Sequence, residues 1–171
     1  MTGDTTKLRD LIERQAVVTI EGMRPVTEAL GILDACGRHA VGVMLDGEFV
    51  GIFSYADFVH RVVMKGRHPR QTLIMEVTTM DPVTVSPDCG IHEAFDLMCK
   101  RNYSHLPVLS HDKKLLGIVS HDDLRLEIAK SVKSKTEEAD YLRAYVSGES
   151  YGSGDYQGSN TNTFNKRALM S

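Results

Sequence analysis

Hydrophobic and polar positions follow the periods of short strands and helices, and the same order of patterns occurs twice along the chain. Apolar residues recur at i, i+3, i+4 and i+7 in segments 26–33 and 91–98, which predicts two helices that each bury one face. A short β-branched segment precedes each of these helices, at 17–20 and at 83–85, and two apolar segments follow each of them. The pattern therefore predicts two units with the order strand, helix, strand, strand, helix.

The two units are copies of one another. Residues 18–45 align with residues 83–110, and after an insertion of one residue, residues 46–58 align with residues 112–124. Ten of the 41 paired positions are identical, where unrelated segments would share about two or three. Because a unit of about 45 residues buries too little surface to fold alone, we expect the copies to pack about a pseudo-twofold axis as one α/β module.

The repeat also predicts how the chain is divided. A strand or helix within residues 6–15 is expected to complete the core. More than half of the last 25 residues are Ser, Gly, Asn or Thr without periodicity, which predicts a disordered tail. The expected segments are repeat 1 at 15–66, a linker at 67–76, repeat 2 at 77–126, a C-terminal helix at 127–146 and the tail at 147–171.

Charge and composition narrow the class of partner. The 171 residues carry 20 Lys and Arg against 23 Asp and Glu, a net charge of -3, so no basic field is available for a nucleic acid. No apolar stretch approaches the roughly 18 residues of a membrane span. Three cysteines without a Cys-x-x-Cys spacing indicate reduced thiols, which predicts a cytoplasmic protein.

Catalysis and metal binding find no support in the residue pattern. The sequence has no nucleophile elbow, P-loop, zincin motif or Gly-x-Gly-x-x-Gly, and Cys36, Cys89 and Cys99 have no adjacent basic residue that forms a recognisable catalytic dyad. The seven histidines do not pair at i and i+4 on a helix face, so no metal site is expected. We therefore expect a protein that is not an enzyme and that requires no cofactor.

One motif ends both units and allows two interpretations. The sequence Gly-Ile-x-Ser-x-x-Asp occupies residues 51–57 and 117–123. Ser-x-x-Asp is the pattern of a helix capping box. The same Ser and Asp could instead bind a ligand, because a helix start attracts an anion and a carboxylate accepts hydrogen bonds from ribose hydroxyls. Arg61, four residues after Asp57, is expected to pair with that carboxylate.

Repeat 2 also contains His105-Leu106-Pro107-Val108. Together with the duplicated motif, this resembles the cystathionine β-synthase (CBS) domain, here as a tandem pair or Bateman module of the small stand-alone kind. The resemblance covers residues 15–126. It implies a regulatory module that binds AMP, ADP, ATP, S-adenosylmethionine or NADH between its repeats and relays binding to another protein, as yet unidentified.

The resemblance implies two clefts, each lined by residues of both repeats. The first would be formed by Ser54, Asp57, Thr79, Tyr103, Ser104, His105 and Pro107. The second would be formed by Arg38, His39, Ala40, Ser120 and Asp123. Many members carry Arg within the first motif and before the His-Leu-Pro-Val segment, where this chain has Ala56 and Ser104. Fewer cations favour AMP or ADP over ATP.

The closing helix of repeat 1 predicts self-association. Phe58, Val59, Val62 and Val63 extend over more than one face of that helix, and only one face can serve the core. We therefore expect a homodimer. An alternative function is a dimerisation scaffold whose clefts stay empty.

Overall fold

The computed structural model describes residues 6–147. The described chain forms two units, one ending at Val132 and the other beginning at Lys133. Of the tail predicted to be disordered, only Ser147 is described, as the last residue of a helix, and residues 148–171 lie outside the described residues. Between residues 6 and 147, no helix combines the length and apolar character needed to cross a bilayer.

Repeat 1 has the predicted order of elements and forms a four-stranded sheet. The strand β1 (Thr19–Glu21) runs parallel to β2 (Ala40–Leu45), which is antiparallel to β3 (Glu48–Ser54). In turn, β3 is antiparallel to β4 (Thr79–Met80). Asp46 and Gly47 adopt the left-handed backbone of a two-residue hairpin turn between β2 and β3. The elements are β1 (Thr19–Glu21), α2 (Val26–Cys36), β2 (Ala40–Leu45), β3 (Glu48–Ser54), α3 (Tyr55–Asp57), a π-helix (Phe58–Val63), α4 (Ile74–Val77) and β4 (Thr79–Met80).

The predicted apolar stripe of α2 forms one wall of the repeat 1 core. Val26, Ala29 and Leu33 are fully buried, and Phe53 from β3 is buried against them. The segment predicted as a linker also contributes to this core, because Ile74 of α4 is fully buried in the same cluster. The chain between the repeats therefore packs against repeat 1.

Repeat 2 consists of α5 (Ile91–Arg101), the antiparallel strands β5 (His105–Leu109) and β6 (Leu115–Ser120), and α6 (His121–Ser147). The predicted opening strand at 83–85 is wrong in extent. Only Val85 pairs, as a single parallel bridge to Val108. Pro82 and Pro87 flank this segment, and since proline has no amide proton they limit how far a strand ladder can extend.

The helix α1 (Leu8–Ile12) fulfils the expectation that residues 6–15 complete a core, and the core is that of repeat 2. Leu8, Leu11 and Ile12 are buried in the cluster that contains Leu106 and Val119. A segment that precedes repeat 1 in sequence thus packs with repeat 2, which ties the two copies into one module.

Candidate functional site

A cavity of about 160 Å³ lies where the end of α2 and the start of β2 meet the end of β6 and the start of α6. Both repeats therefore contribute to its walls. The lining residues are Gly37, Arg38, His39, Ala40, His105, Ile118, Ser120, Asp122 and Asp123. All five residues that the resemblance assigned to the second cleft are among them, and Gly37, Ile118 and Asp122 were not anticipated.

The end of α2 directs Arg38 and His39 into this cavity. Gly37 adopts the left-handed conformation, with φ of 60°, and ends the helix. The amide of Arg38 then donates to the Leu33 carbonyl at 3.0 Å, which closes the last turn. The chain leaves the helix at this point and enters β2 at Ala40.

Ser120 and Asp123 form a reciprocal capping box at the start of α6. The Ser120 amide donates to Asp123 Oδ2 at 2.9 Å, and the Asp123 amide donates to Ser120 Oγ at 3.1 Å. Among the residues that the structure describes, none donates a hydrogen bond to the other oxygen, Oδ1. The capping interpretation of the motif is therefore correct, and it leaves one oxygen of Asp123 available.

The Arg38 side chain connects the two repeats across the cavity. Its Nη2 donates to the Ile118 carbonyl at 2.8 Å and to Gln15 Oε1 at 2.6 Å. Its Nη1 lies 3.9 Å from Asp123 Oδ2, and both side chains are one-quarter exposed. No sequence motif marks Gln15, which follows α1, so its contact with Arg38 was not predicted.

His105, which the resemblance assigned to the first cleft, lines this cavity of the second cleft. Burial lowers the pKa of its imidazole below 6.5, and the nearby His39 and Arg38 lower it further, whereas Asp123 and Asp57 oppose this shift. The imidazole is therefore neutral at pH 7. Its Nδ1 lies 3.0 Å from Ser104 Oγ.

Asp57, the residue of repeat 1 that corresponds to Asp123, has more partners for its carboxylate. Asp57 Oδ2 accepts hydrogen bonds from the Ser54 amide at 2.9 Å and from Ser54 Oγ at 2.7 Å. Asp57 Oδ1 accepts from Thr79 Oγ1 at 3.1 Å and lies 3.4 Å from Arg61 Nε. The predicted pair of Arg61 and Asp57 is thus present.

The remaining residues of the first predicted cleft lie either in the fold of repeat 2 or on its surface. Tyr103 packs, partly buried, against the core of repeat 2, and Pro107 is buried within β5. Ser104 is exposed and contacts His105. The structure therefore brings Ser54, Asp57 and Thr79 together, while Tyr103 and Pro107 are parts of the fold of repeat 2.

Comparison with known proteins agrees with this architecture. The family model of the CBS domain matches residues 74–130. A solved structure of the CBS-domain containing protein ATU1752 from Agrobacterium tumefaciens is 29% identical, has a TM-score of 0.64 and covers 72% of this chain and 94% of its own. The chain is a CBS-domain protein. The fold and family predicted from the sequence are confirmed.

Two further relatives of this CBS-domain protein are informative. The solved structure of CBSX2 in complex with AMP is 21% identical, with a TM-score of 0.60 and coverage of 74% of this chain and 98% of that chain, and shares the fold. The mitochondrial CBS domain-containing protein CBSX3 of Arabidopsis thaliana is 29% identical over 119 residues, covering 65% of this chain and 56% of the relative. The chain spans about half the length of the curated relatives it matches.

Two cysteines of the CBS-domain protein, Cys89 and Cys99, lie in different surroundings. Burial, with Glu93 adjacent, raises the pKa of the Cys89 thiol to about 11, so the thiol is protonated at neutral pH and a poor nucleophile. Cys99 Sγ lies 3.7 Å from His121 Nε2. The sequence did not predict this contact, because the two residues are 22 positions apart. Within residues 6–147, no three His, Cys, Asp or Glu side chains converge as metal ligands.

Proposed function

We propose that this CBS-domain protein is a regulatory module that binds an adenine nucleotide, AMP or ADP rather than ATP, in the cavity beside Asp123. The observation that carries the proposal is the convergence of two carboxylates, one guanidinium and two imidazoles from both repeats on a single cavity. A ligand that joins both repeats can favour one arrangement of them, which is the basis of a regulatory response.

Each part of a nucleotide has a complementary group in this cavity. Asp123 Oδ1 can accept hydrogen bonds from the ribose hydroxyls while Oδ2 keeps the cap of α6. The start of this 27-residue helix favours negative charge. Arg38 and His39 approach from the opposite repeat and can donate to phosphate oxygens.

The number of positive groups supports a ligand with few phosphates. Arg38 is the one permanent cation among the lining residues, and His105 is neutral at pH 7 because its pKa is lowered. Bringing a triphosphate into such a cavity would leave negative charges without partners, which is energetically costly. One or two phosphates match the donors that are present.

The size of the cavity supports a rearrangement on binding. Its volume of about 160 Å³ is below the roughly 300–1,000 Å³ of sites that enclose a drug-sized ligand. Lining side chains must therefore move for a nucleotide to enter fully, and we propose that Arg38 leaves the Ile118 carbonyl and Gln15. That movement breaks a contact between the repeats, and it offers a route by which binding alters the module and, through it, a partner protein.

Thermal denaturation with a panel of ligands tests the proposal. AMP, ADP, ATP, S-adenosylmethionine and NADH are added at millimolar concentration to the wild type, Asp123→Asn and Asp112→Asn. Asp112 lies in an exposed turn and provides the same chemical change outside the cavity. A ligand at 100 times its Kd adds about 2.7 kcal/mol of stability. We expect AMP or ADP to stabilise the wild type and Asp112→Asn but not Asp123→Asn, and no stabilisation by any of these ligands would contradict the proposal.

A second candidate function is homodimerisation. Val59, Val63 and Met64 are 45%, 55% and 68% exposed, whereas Val62 on the same π-helical segment is fully buried. Such an apolar surface favours burial by a second copy of the chain. The dimer is compatible with nucleotide binding. The cytoplasmic location and the identity of the regulated partner stay predictions.

A further inference from the structure

The two acidic sites of the duplicated motif share the same hydrogen bond from the serine amide to the aspartate. The Ser54 amide donates to Asp57 at 2.9 Å, and the Ser120 amide donates to Asp123 at the same distance. A duplicated fold would therefore be expected to offer two equivalent carboxylates to ligands. The surroundings of the carboxylates nevertheless differ.

Both oxygens of the Asp57 carboxylate are engaged within the protein. An ionised carboxylate offers about four acceptor positions. The amide and hydroxyl of Ser54 donate to Oδ2 and Thr79 Oγ1 donates to Oδ1, while Arg61 Nε lies 3.4 Å from Oδ1 in an ion pair. Asp57 is only 13% exposed, so this arrangement is also partly shielded from solvent. Ribose hydroxyls at Asp57 would therefore compete with Arg61 and with these donors.

Arg61 is fixed in this position by groups other than Asp57. Its Nη1 donates to the Thr78 carbonyl at 2.7 Å and to the Val77 carbonyl at 3.3 Å, and its Nη2 donates to Thr79 Oγ1 at 3.1 Å. The guanidinium thus connects the π-helical segment to the end of α4 and the start of β4. A ligand that displaced it would have to replace several hydrogen bonds at once.

Repeat 2 has no equivalent of this arginine. The residue four positions after Asp123 is Glu127, where repeat 1 has Arg61 four positions after Asp57. Glu127 pairs with Lys130 at 3.4 Å and with Arg14 at 3.9 Å. A negative side chain at this position cannot pair with a neighbouring carboxylate. The cation nearest to Asp123 is Arg38, which approaches Oδ2, so Oδ1 stays available for a ligand.

We propose that Arg61 acts as an internal substitute for ligand at Asp57, so that the module binds one nucleotide per chain, at Asp123, despite its two motifs. Arg61 is then the residue that determines stoichiometry. This inference rests on the proposed function for the identity of the ligand, and the experiment separates the two. It assigns different roles to two aspartates that the sequence presents as equivalent.

Calorimetric titration with AMP tests the proposal. The variants are Asp57→Asn, Asp123→Asn, Arg61→Met and the double variant Arg61→Met with Asp57→Asn. Arg67→Met is the matched control, because Arg67 pairs with Glu76 at 3.0 Å away from both motifs. We expect one AMP per chain for the wild type, Asp57→Asn and Arg67→Met, and none for Asp123→Asn. Arg61→Met should bind two, and the double variant should return to one.

Several results would overturn the inference. One such result is two AMP per chain in the wild type. Another is loss of binding in Asp57→Asn with retention in Asp123→Asn. A third is one AMP per chain in a folded Arg61→Met variant. If Arg61→Met fails to fold by circular dichroism, the comparison of Asp57→Asn with Asp123→Asn decides. If the wild type binds no AMP at all, the proposed function and the site at Asp123 both fail. The double variant Arg61→Met with Asp123→Asn then decides whether Arg61 blocks Asp57: one AMP per chain supports that role, and none overturns it.

Discussion

Arg38 of repeat 1 donates a 2.8 Å hydrogen bond to the main-chain carbonyl of Ile118 in repeat 2. The same guanidinium lies 3.9 Å from Asp123, the carboxylate with an available oxygen. One side chain therefore both connects the repeats and faces the proposed ligand. An anionic ligand that attracts Arg38 changes the contact between the repeats.

Replacing Arg38 should weaken the module even without ligand. We expect Arg38→Met to lower the free energy of unfolding by about 1–3 kcal/mol, because it removes charge-assisted hydrogen bonds to Ile118 and Gln15. Arg24→Met is the control, since the exposed side chain of Arg24, just before α2, pairs with the exposed Glu28, and we expect a change below about 0.5 kcal/mol. Urea denaturation measures both values, and equal losses would contradict the structural role of Arg38.

Glycine at position 51 is required by close packing of β3 on β4. A Cβ at Gly51 would lie 2.4 Å from the Thr79 carbonyl oxygen, whereas a Cβ at Gly31 of α2 would have no atom within 4 Å. We expect Gly51→Ala to destabilise the fold by about 1–3 kcal/mol through overpacking. Gly31→Ala should instead stabilise it by about 0.5–1 kcal/mol, because alanine favours a helix. Chemical denaturation of the two variants checks these opposite signs.

Local patterns predicted much of this structure, and long-range contacts account for the rest. The period of α2 correctly identified Val26, Ala29 and Leu33 as buried, and the spacing of Ser120 and Asp123 predicted the observed cap. These features depend on residues within one or two helical turns. The predicted pairing of Arg61 with Asp57 has the same local origin.

The resemblance placed Thr79 in one cleft with Asp57, but the hydrogen bond between them was not predicted, because the two residues are 22 positions apart and meet only when β4 joins the sheet. The packing of Leu8 into the core of repeat 2 was equally hidden. Apolar periodicity shows which face is buried but not which element covers it. The difference between the two acidic sites arises from such contacts.

The state of His105 predicts a pH dependence of stability. Its pKa is lowered in the folded protein, so on acidification the unfolded chain takes up this proton first. The stabilising contribution is therefore complete above pH 6.5 and decreases as the pH falls below that value. The groups that face His105 are His39, Arg38, Asp123 and Asp57.

Variants isolate this contribution. We expect the free energy of unfolding to fall less steeply between about pH 7 and pH 5 in His105→Gln than in the wild type. His111→Gln removes a fully exposed imidazole and should keep the slope of the wild type. Urea denaturation at several pH values provides the comparison, and identical slopes in all three proteins would contradict the role assigned to His105.

The exposed apolar residues of repeat 1 predict a homodimer. Light scattering should give about twice the chain mass of 19.0 kDa for the wild type. The double variant Val59→Ser and Val63→Ser should give the mass of one chain, because it removes apolar surface that the second copy covers. Met23→Ser, which changes another exposed apolar residue, should remain dimeric. A wild type with the mass of one chain at micromolar concentration would remove the dimer from the account.

The most direct test of the central claim is a crystal structure determined with AMP. We expect the nucleotide in the cavity between the repeats, with its ribose hydroxyls bound to Asp123 Oδ1 and with Arg38 moved from the Ile118 carbonyl toward the phosphate. Asp57 should remain bound to Arg61 and Thr79. An empty cavity at saturating AMP with Arg38 still bound to Ile118, or AMP bound at Asp57 instead, would contradict the account.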